Sequence, residues 1–330
     1  MAERVKMLLG VNADIFKIFS GAGGFPNLVE ALTSDLQDMD VEVVPFEDGK
    51  DMAEQLSDVD IIIPAVMPVS AEMINAAPKL KAVIQAGIGL DTVDIEAATK
   101  KNVIVANEPE GSAIAMGEFG MMLILCTIKK VLDSRELMKQ GIFFQPIGFE
   151  LAGRTLGLVG LGRSARELIV RAKPFGMKII GIDKFPDQVG DLGIDFQGGL
   201  DKLDYILENS DIVSIHCPAN SETNGMINYD KICKMKSTAI LINLARASIV
   251  NKEDFIKALK ENKIMGAGFD VFWDEPMDPK DELLTLPNLF ATPHIATSTI
   301  EARIRIFRTT SSNIRKALKG EIPESCVNLK

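Results

Sequence analysis

The stretch "TLGLVGLGRSARELIVRAKPFGMKIIGIDKF", residues 155–185, constrains this chain more than any other. An apolar strand from Leu156 to Val159 runs into Gly160-Leu161-Gly162-Arg163-Ser164-Ala165, an amphipathic helix follows, and a second apolar strand ends at Asp183. This is the fingerprint of a dinucleotide-binding βαβ unit, with the permitted Ala at its third small position. Gly160 allows the tight turn. Gly162 lets the backbone approach a pyrophosphate, whose charge would sit among the free N–H groups of the helix N-terminus. Ala165 is small enough for close helix-to-strand packing. Asp183, 21 residues beyond Gly162, stands where a carboxylate accepts hydrogen bonds from the adenosine ribose, and its charge would repel a 2′-phosphate. NAD is therefore favoured over NADP, a preference that the adjacent Lys184 tempers. By contrast "GAGGF" at 21–25 follows no apolar strand and has no acid in register, and reads as a loop.

Around this unit, short apolar runs alternate with amphipathic stretches: "VKMLLG", "VEVVPF", "DIIIPAV", "KAVIQA" and "VIVAN", then "TLGLVG", "KIIGID", "DIVSIH", "AILINLA", "MGAGFDV" and "LFATPHI". Strands separated by helices imply right-handed βαβ crossovers and parallel sheets. About five strands precede position 107 and about six follow 150, which predicts two α/β domains. Between them "GSAIAMGEFGMMLILCTIKKVLDSRELMKQG", residues 111–141, reads as one long, mostly apolar helix suited to bridging domains or meeting a second subunit. The last stretch, "STIEARIRIFRTTSSNIRKALKG", reads as a helix with Ile300, Ile304, Phe307, Ile314 and Leu318 at helical spacing and Gly320 ending it. If it returns to the first domain, the second is an insertion: residues 1–106 and 297–330 form one domain, and 107–296 the dinucleotide-binding doubly wound sheet.

The bulk properties exclude several classes. A net charge of −10 argues against nucleic acid or an anionic membrane as partner, because such surfaces need a basic face. The first residues lack the pattern of a signal peptide, and the apolar run "MMLILCTI" is too short to span a bilayer, so a cytoplasmic location is expected. Four cysteines without Cys-x-x-Cys spacing and only two histidines make a poor set of metal ligands. The cysteines are expected to be reduced and mostly buried.

After the fingerprint, three stretches place chargeable residues just beyond a predicted strand: "AILINLARAS" with Arg246, "MGAGFDVFWDEP" with Asp270 and Glu275, and "LFATPHIATS" with His294. In an open parallel sheet the C-terminal strand ends are where ligands bind. Arg donates two parallel hydrogen bonds to a carboxylate; His exchanges a proton near neutral pH, and a neighbouring carboxylate orients it. Beside a hydride carrier, these groups suit the interconversion of a 2-keto acid and a 2-hydroxy acid. Singly, each has a plainer reading, as an exposed cation, a helix-start acid before Pro276 and a half-buried ring.

The ordered motifs "GLVGLGRSA", "GID", "HCP", "INLARAS", "GFDVFWDEP" and "TPHIATS", with "QAGIGLDTVDIEAA" in the first domain, resemble the D-isomer-specific 2-hydroxyacid dehydrogenases over nearly the whole chain. That family includes D-3-phosphoglycerate dehydrogenase, glyoxylate/hydroxypyruvate reductases and D-lactate dehydrogenase. The resemblance implies two Rossmann-like domains, a flavodoxin-like substrate domain with an inserted NAD-binding domain, and an active site in the cleft between them. It implies reversible hydride transfer between nicotinamide C4 and substrate C2. In it Arg246 binds the substrate carboxylate, His294 gives or takes the proton, and Glu275 holds His294. Gly160, Gly162, Arg163, Ser164, Asp183, His216, Cys217, Pro218, Thr223 and Asp270 would hold the cofactor, with Asp270 at the nicotinamide carboxamide. Backbone amides of Ile88 and Gly89 would join Arg246 at the carboxylate. Residues 111–141 match the family's dimer arm, so a homodimer is implied.

The chain also departs from the family. Ala247 replaces a usual Gly, Ser164 a usual aliphatic residue, and "MGEF" a usual "VAEH" at 116–119. "PAVMPVS" at 64–70, which by the resemblance would face the substrate side chain, has no Arg or Lys, which leans away from a phosphorylated substrate. The alternatives are D-3-phosphoglycerate dehydrogenase, phosphite dehydrogenase, which shares the triad, and an NAD-sensing corepressor-like binding protein. Formate dehydrogenase is disfavoured, because that branch has Gln at the position of Glu275.

Overall fold

In the computed structural model, which describes residues 4–24, 27–65 and 67–329, the apolar runs are strands of two parallel sheets. Contacts divide the chain into two units, Met1–Ser112 with Ser298–Lys330, and Ala113–Thr297.

In the first unit, β1 (Val5–Leu9), β2 (Val41–Pro45), β3 (Ile61–Ile63), β4 (Ala82–Ile84) and β5 (Ile104–Ala106) form a sheet in the order β2-β1-β3-β4-β5. Every pairing in it is parallel. The central strands are buried on both faces, as a doubly covered parallel sheet requires. The helix Ile300–Leu318 packs on this sheet through Ile306, Phe307, Ile314 and Ala317. Its start is capped by Thr299, whose hydroxyl accepts the Ala302 N–H at 3.2 Å. The buried face is rotated from the one expected: Ile300 is half exposed, while Thr310 and Ser311 are fully buried. Both hydroxyls are satisfied there, Thr310 by donating to the Ile306 carbonyl at 2.8 Å and Ser311 by accepting the Asp35 N–H at 3.0 Å. Apolar spacing alone does not register such pairs. The loop expected at 21–25 contains a short 3₁₀ turn, Ala22–Gly24; Phe25 and Val66, in two of the stretches singled out above, lie outside the described residues.

The second unit holds β6 (Thr155–Val159), β7 (Lys178–Ile182), β8 (Phe196–Gly198), β9 (Ile212–Ile215), β10 (Ile240–Asn243), β11 (Gly266–Phe269) and β12 (Leu289–Ala291). Their order is β12-β11-β10-β9-β6-β7-β8. The chain winds outward from β6 to β8, returns, and winds the other way from β9, so the topological switch lies between β6 and β9. Register decides what meets there. Val159 pairs with Ile215, Ile215 with Asn243, Asn243 with Phe269, and Phe269 with Ala291. Five strands therefore end level, and the residues just beyond them share one edge.

Alternate residues of these strands feed two cores. Val159, Ile215, Leu241 and Phe269 join one, in which Phe255 stacks on Phe269 with ring centroids 4.4 Å apart. Leu158, Ile212 and Ile242 join the other, with the helices Ala113–Ile128 and Arg163–Ala172.

Three readings are corrected. The edge strand β8 was not expected, because three residues of "DFQGG" make no apolar run. The single helix expected over 111–141 is two, Ala113–Ile128 and Val131–Lys139, broken where Lys130 adopts a left-handed backbone with φ 55°. Of the four cysteines only Cys217 is buried; Cys126 and Cys326 are half-buried and Cys233 is exposed. Among the described residues no helix is long and apolar enough to cross a membrane.

Candidate active site

At the level edge of the second sheet the glycine loop follows β6 directly. Gly160 has φ 97°, and a Cβ there would stand 2.7 Å from the Cys217 nitrogen and 2.8 Å from the His216 carbonyl oxygen. Only glycine fits this turn against the end of β9. Gly162 is different: its φ is −70°, and a Cβ would meet no atom within 4 Å. Protein packing does not require glycine at this position, so the open space is what an incoming group would fill. Beside it the helix Arg163–Ala172 begins with no side-chain cap, and among the described residues the N–H groups of Ser164 and Ala165 have no acceptor, as suits an anion. Arg163 is exposed and Ala165 fully buried. Asp183 closes the loop from β7, its Oδ2 accepting the Leu161 N–H at 2.9 Å and its Oδ1 the Phe185 N–H at 2.9 Å. Lys184 is ion-paired with Glu222 at 2.5 Å. The donors, the cradle and the acid fit a dinucleotide.

Beyond β9 stand His216, Cys217, Pro218 and Thr223. Burial pushes the His216 imidazole down to about 4 and the Cys217 thiol up to about 11, so both are neutral at physiological pH. Thr223 is buried and donates its hydroxyl to the Pro218 carbonyl at 2.7 Å, which shapes this loop.

Three further strand ends bring Arg246, Glu275 and His294 together. Beyond β10, the fully buried Asn243 accepts the Ala245 N–H at 3.0 Å and donates to the Arg246 carbonyl at 3.0 Å, fixing the turn that presents Arg246. Ala247 begins the 3₁₀ turn Ala247–Ile249 with an ordinary negative φ, so its methyl group costs no strain. Beyond β11, Glu275 Oε1 accepts the Phe272 N–H at 2.8 Å and its Oε2 lies 2.7 Å from His294 Nδ1. Burial alone would raise the Glu275 carboxyl, but the bonds from His294 and Phe272 and the charge of Arg246 outweigh it and hold the group below the usual carboxylate range. The carboxylate therefore stays charged beside the imidazole.

His294 has φ 53°, a left-handed backbone uncommon for a residue with a side chain. What holds it there is Asp270, fully buried at the end of β11. Its Oδ1 accepts the Thr292 hydroxyl at 2.7 Å and the Ile295 N–H at 3.0 Å, and its Oδ2 accepts the Ala296 N–H at 2.8 Å. Burial raises the Asp270 carboxyl despite these three donors. Sequence reasoning placed Asp270 at the cofactor and missed that it ties down both sides of His294. It also missed Asn243 and Thr292. The only local signal for Asn243 was an amide ending an otherwise apolar strand.

Ile88 and Gly89 belong to the first unit, in the loop after β4. Their carbonyls accept from Asn107 Nδ2 at 2.8 Å and Gln85 Nε2 at 3.0 Å, and among the described residues their N–H groups have no acceptor.

Residues 121–296, more than half of the chain, match the NAD binding domain of the D-isomer specific 2-hydroxyacid dehydrogenases. The chain belongs to this family. The D-3-phosphoglycerate dehydrogenase of Methanocaldococcus jannaschii is 36% identical over 296 residues, which is 88% of this chain but 56% of that protein. The chain thus spans little more than half the length of that relative. The glyoxylate reductase of Korarchaeum cryptofilum is 36% identical over 288 residues, 84% of this chain and 86% of the reductase. Among solved structures, the D-lactate dehydrogenase of Aquifex aeolicus complexed with NAD and lactic acid superposes with a TM-score of 0.83, at 25% identity, over 98% of this chain and 99% of that one. Membership in the family makes a nicotinamide cofactor part of the protein's chemistry.

Proposed function

We propose that this chain is an NAD-dependent D-2-hydroxyacid dehydrogenase that also runs as a 2-keto acid reductase, with Arg246, Glu275 and His294 as its catalytic groups. The observation that carries the reading is the 2.7 Å contact of His294 Nδ1 with a charged Glu275, at the same sheet edge as the glycine loop. With Nδ1 donating to Glu275, Nε2 is the atom left to exchange a proton with the substrate oxygen. The charged carboxylate orients the ring for that exchange. Arg246 pairs with the substrate carboxylate and places positive charge where the carbonyl oxygen gains negative charge during reduction. In the first unit, the free amides of Ile88 and Gly89 are further donors for a carboxylate. The helix N-terminus beyond Gly162 and the carboxylate of Asp183 hold the cofactor, which when bound supplies or accepts the hydride.

The test is NADH oxidation, followed by absorbance, across glyoxylate, hydroxypyruvate, pyruvate and phosphohydroxypyruvate. Turnover on a keto acid with an uncharged side chain exceeding that on phosphohydroxypyruvate is expected, because residues 64–70 hold no cation. No turnover on any of them with NADH still bound would replace this reading by a cofactor-sensing protein or a phosphite dehydrogenase.

NAD rather than NADP is favoured by Asp183, and Lys184, the nearby cation in sequence, is already paired with Glu222. NADH is expected to bind at least roughly tenfold more tightly than NADPH, since a 2′-phosphate would meet the like charge of Asp183. Equal affinities by titration calorimetry would reverse the preference.

A homodimer is favoured by the segment after Ile128. Met138, Phe143, Phe144 and Ile147 are 62%, 63%, 99% and 82% exposed, four large apolar side chains close in sequence whose burial a second subunit would supply. Light scattering is expected to give about twice 35.9 kDa, and Phe144→Asp with Ile147→Asp to shift it toward the monomer. A wild-type monomer would overturn the assignment.

A further inference from the structure

His216 is one of two histidines in the chain, and neither of its ring nitrogens faces the Arg246, Glu275 and His294 cluster. Nδ1 lies 3.0 Å from Ser164 Oγ, and Nε2 lies 2.9 Å from Ser214 Oγ. The two hydroxyls differ in surroundings. Ser214 is fully buried in β9, and among the described residues its hydroxyl has Nε2 as its sole partner. Ser164 is half-buried, the second residue of the helix Arg163–Ala172, two positions beyond the open space at Gly162.

A neutral imidazole carries one N–H donor and one acceptor nitrogen. If Nε2 carried the proton, the buried O–H of Ser214 would have no acceptor. If Nδ1 carries it, Ser214 donates to Nε2 and only an acceptor lone pair goes unused, which costs far less. Nδ1–H then donates to Ser164 Oγ. That leaves the hydroxyl proton of Ser164 without an acceptor among the described residues, at a helix N-terminus, a place that favours an anion. We propose that the Ser164 hydroxyl is a donor to the diphosphate of the bound dinucleotide, aimed by the Nδ1–H of His216, whose tautomer the buried Ser214 fixes. Ser164, which this chain has in place of the family's usual aliphatic side chain, touches the cofactor, and His216, which acts through it, is a positioning residue.

The inference rests on the dinucleotide reading of the glycine loop, and the experiment separates the two. Imidazole ¹⁵N spectra of histidine-labelled protein, assigned with His294→Asn, are expected to show His216 protonated at Nδ1 and unprotonated at Nε2, without titration between about pH 5 and pH 8. Calorimetry with ADP-ribose is expected to show binding by the wild type, roughly tenfold weaker binding by Ser164→Ala, and recovery in Ser164→Thr, which restores the hydroxyl. An Nε2–H tautomer in the complex, or equal ADP-ribose affinity for wild type and Ser164→Ala, overturns this inference alone. A wild type that does not bind ADP-ribose overturns the dinucleotide reading and this inference with it.

Discussion

Replacing His294 with Asn is expected to lower kcat for keto acid reduction by about 10³-fold, within the range general acid–base catalysis contributes, while leaving NADH affinity within about twofold. Asn is the informative replacement because it tolerates the left-handed backbone that His294 adopts, so the loop tied by Asp270 stays in place. The ring is 45% exposed and is not part of either core, so the melting temperature should also stay. A kcat within tenfold of wild type would remove His294 from the chemistry. Glu275→Gln refines the same result. Gln keeps a hydrogen-bond partner for His294 Nδ1 without the charge of the carboxylate, so kcat for reduction should fall at least roughly tenfold while NADH affinity is unchanged. Because the Glu275 carboxyl is held below its usual range, its charge is fully present above that range and is lost only as pH falls through the depressed value.

The two loop glycines should fail in opposite ways. Gly160→Ala places a methyl group 2.7 Å from the backbone at the end of β9 and forces a side chain onto φ 97°. Neither partner is a flexible side chain, so a loss of at least about 3 kcal/mol and a melting temperature lower by roughly 10 °C are expected in the second unit. Gly162→Ala has an ordinary φ and meets nothing. Its stability should be unchanged, while its affinity for NADH falls at least roughly tenfold, because the methyl group occupies the space left for the diphosphate. Calorimetry on both variants checks the pair. A Gly162→Ala variant that binds NADH normally would mean that the dinucleotide does not cross this loop.

These glycines also mark how far the sequence reads by itself. Each strand that the apolar runs announced is present, because a strand buried on both faces needs only a short, local run of apolar residues. The glycine fingerprint and Asp183 were legible for the same reason: turn, helix start and acid follow one another within some thirty residues. Arg246, Glu275 and His294 were legible as types and as positions after strands, and the family resemblance supplied their roles.

Whatever depends on pairing between distant segments was not legible. The level ending of β6, β9, β10, β11 and β12 is a matter of hydrogen-bond register, which no single strand encodes. Asp270 reads as one acid among many until the fold lays residues 292–296 against it, 22 to 26 positions away. The chain of Ser214, His216 and Ser164 spans 52 residues and forms only because β9 lies beside β6. The break at Lys130 and the edge strand β8 likewise have weak local signals. Local sequence determined which elements form and which chemistry they carry; tertiary pairing decided which side chains meet, since a hydrogen bond of about 3 Å across the sheet depends on geometry that propensity does not set.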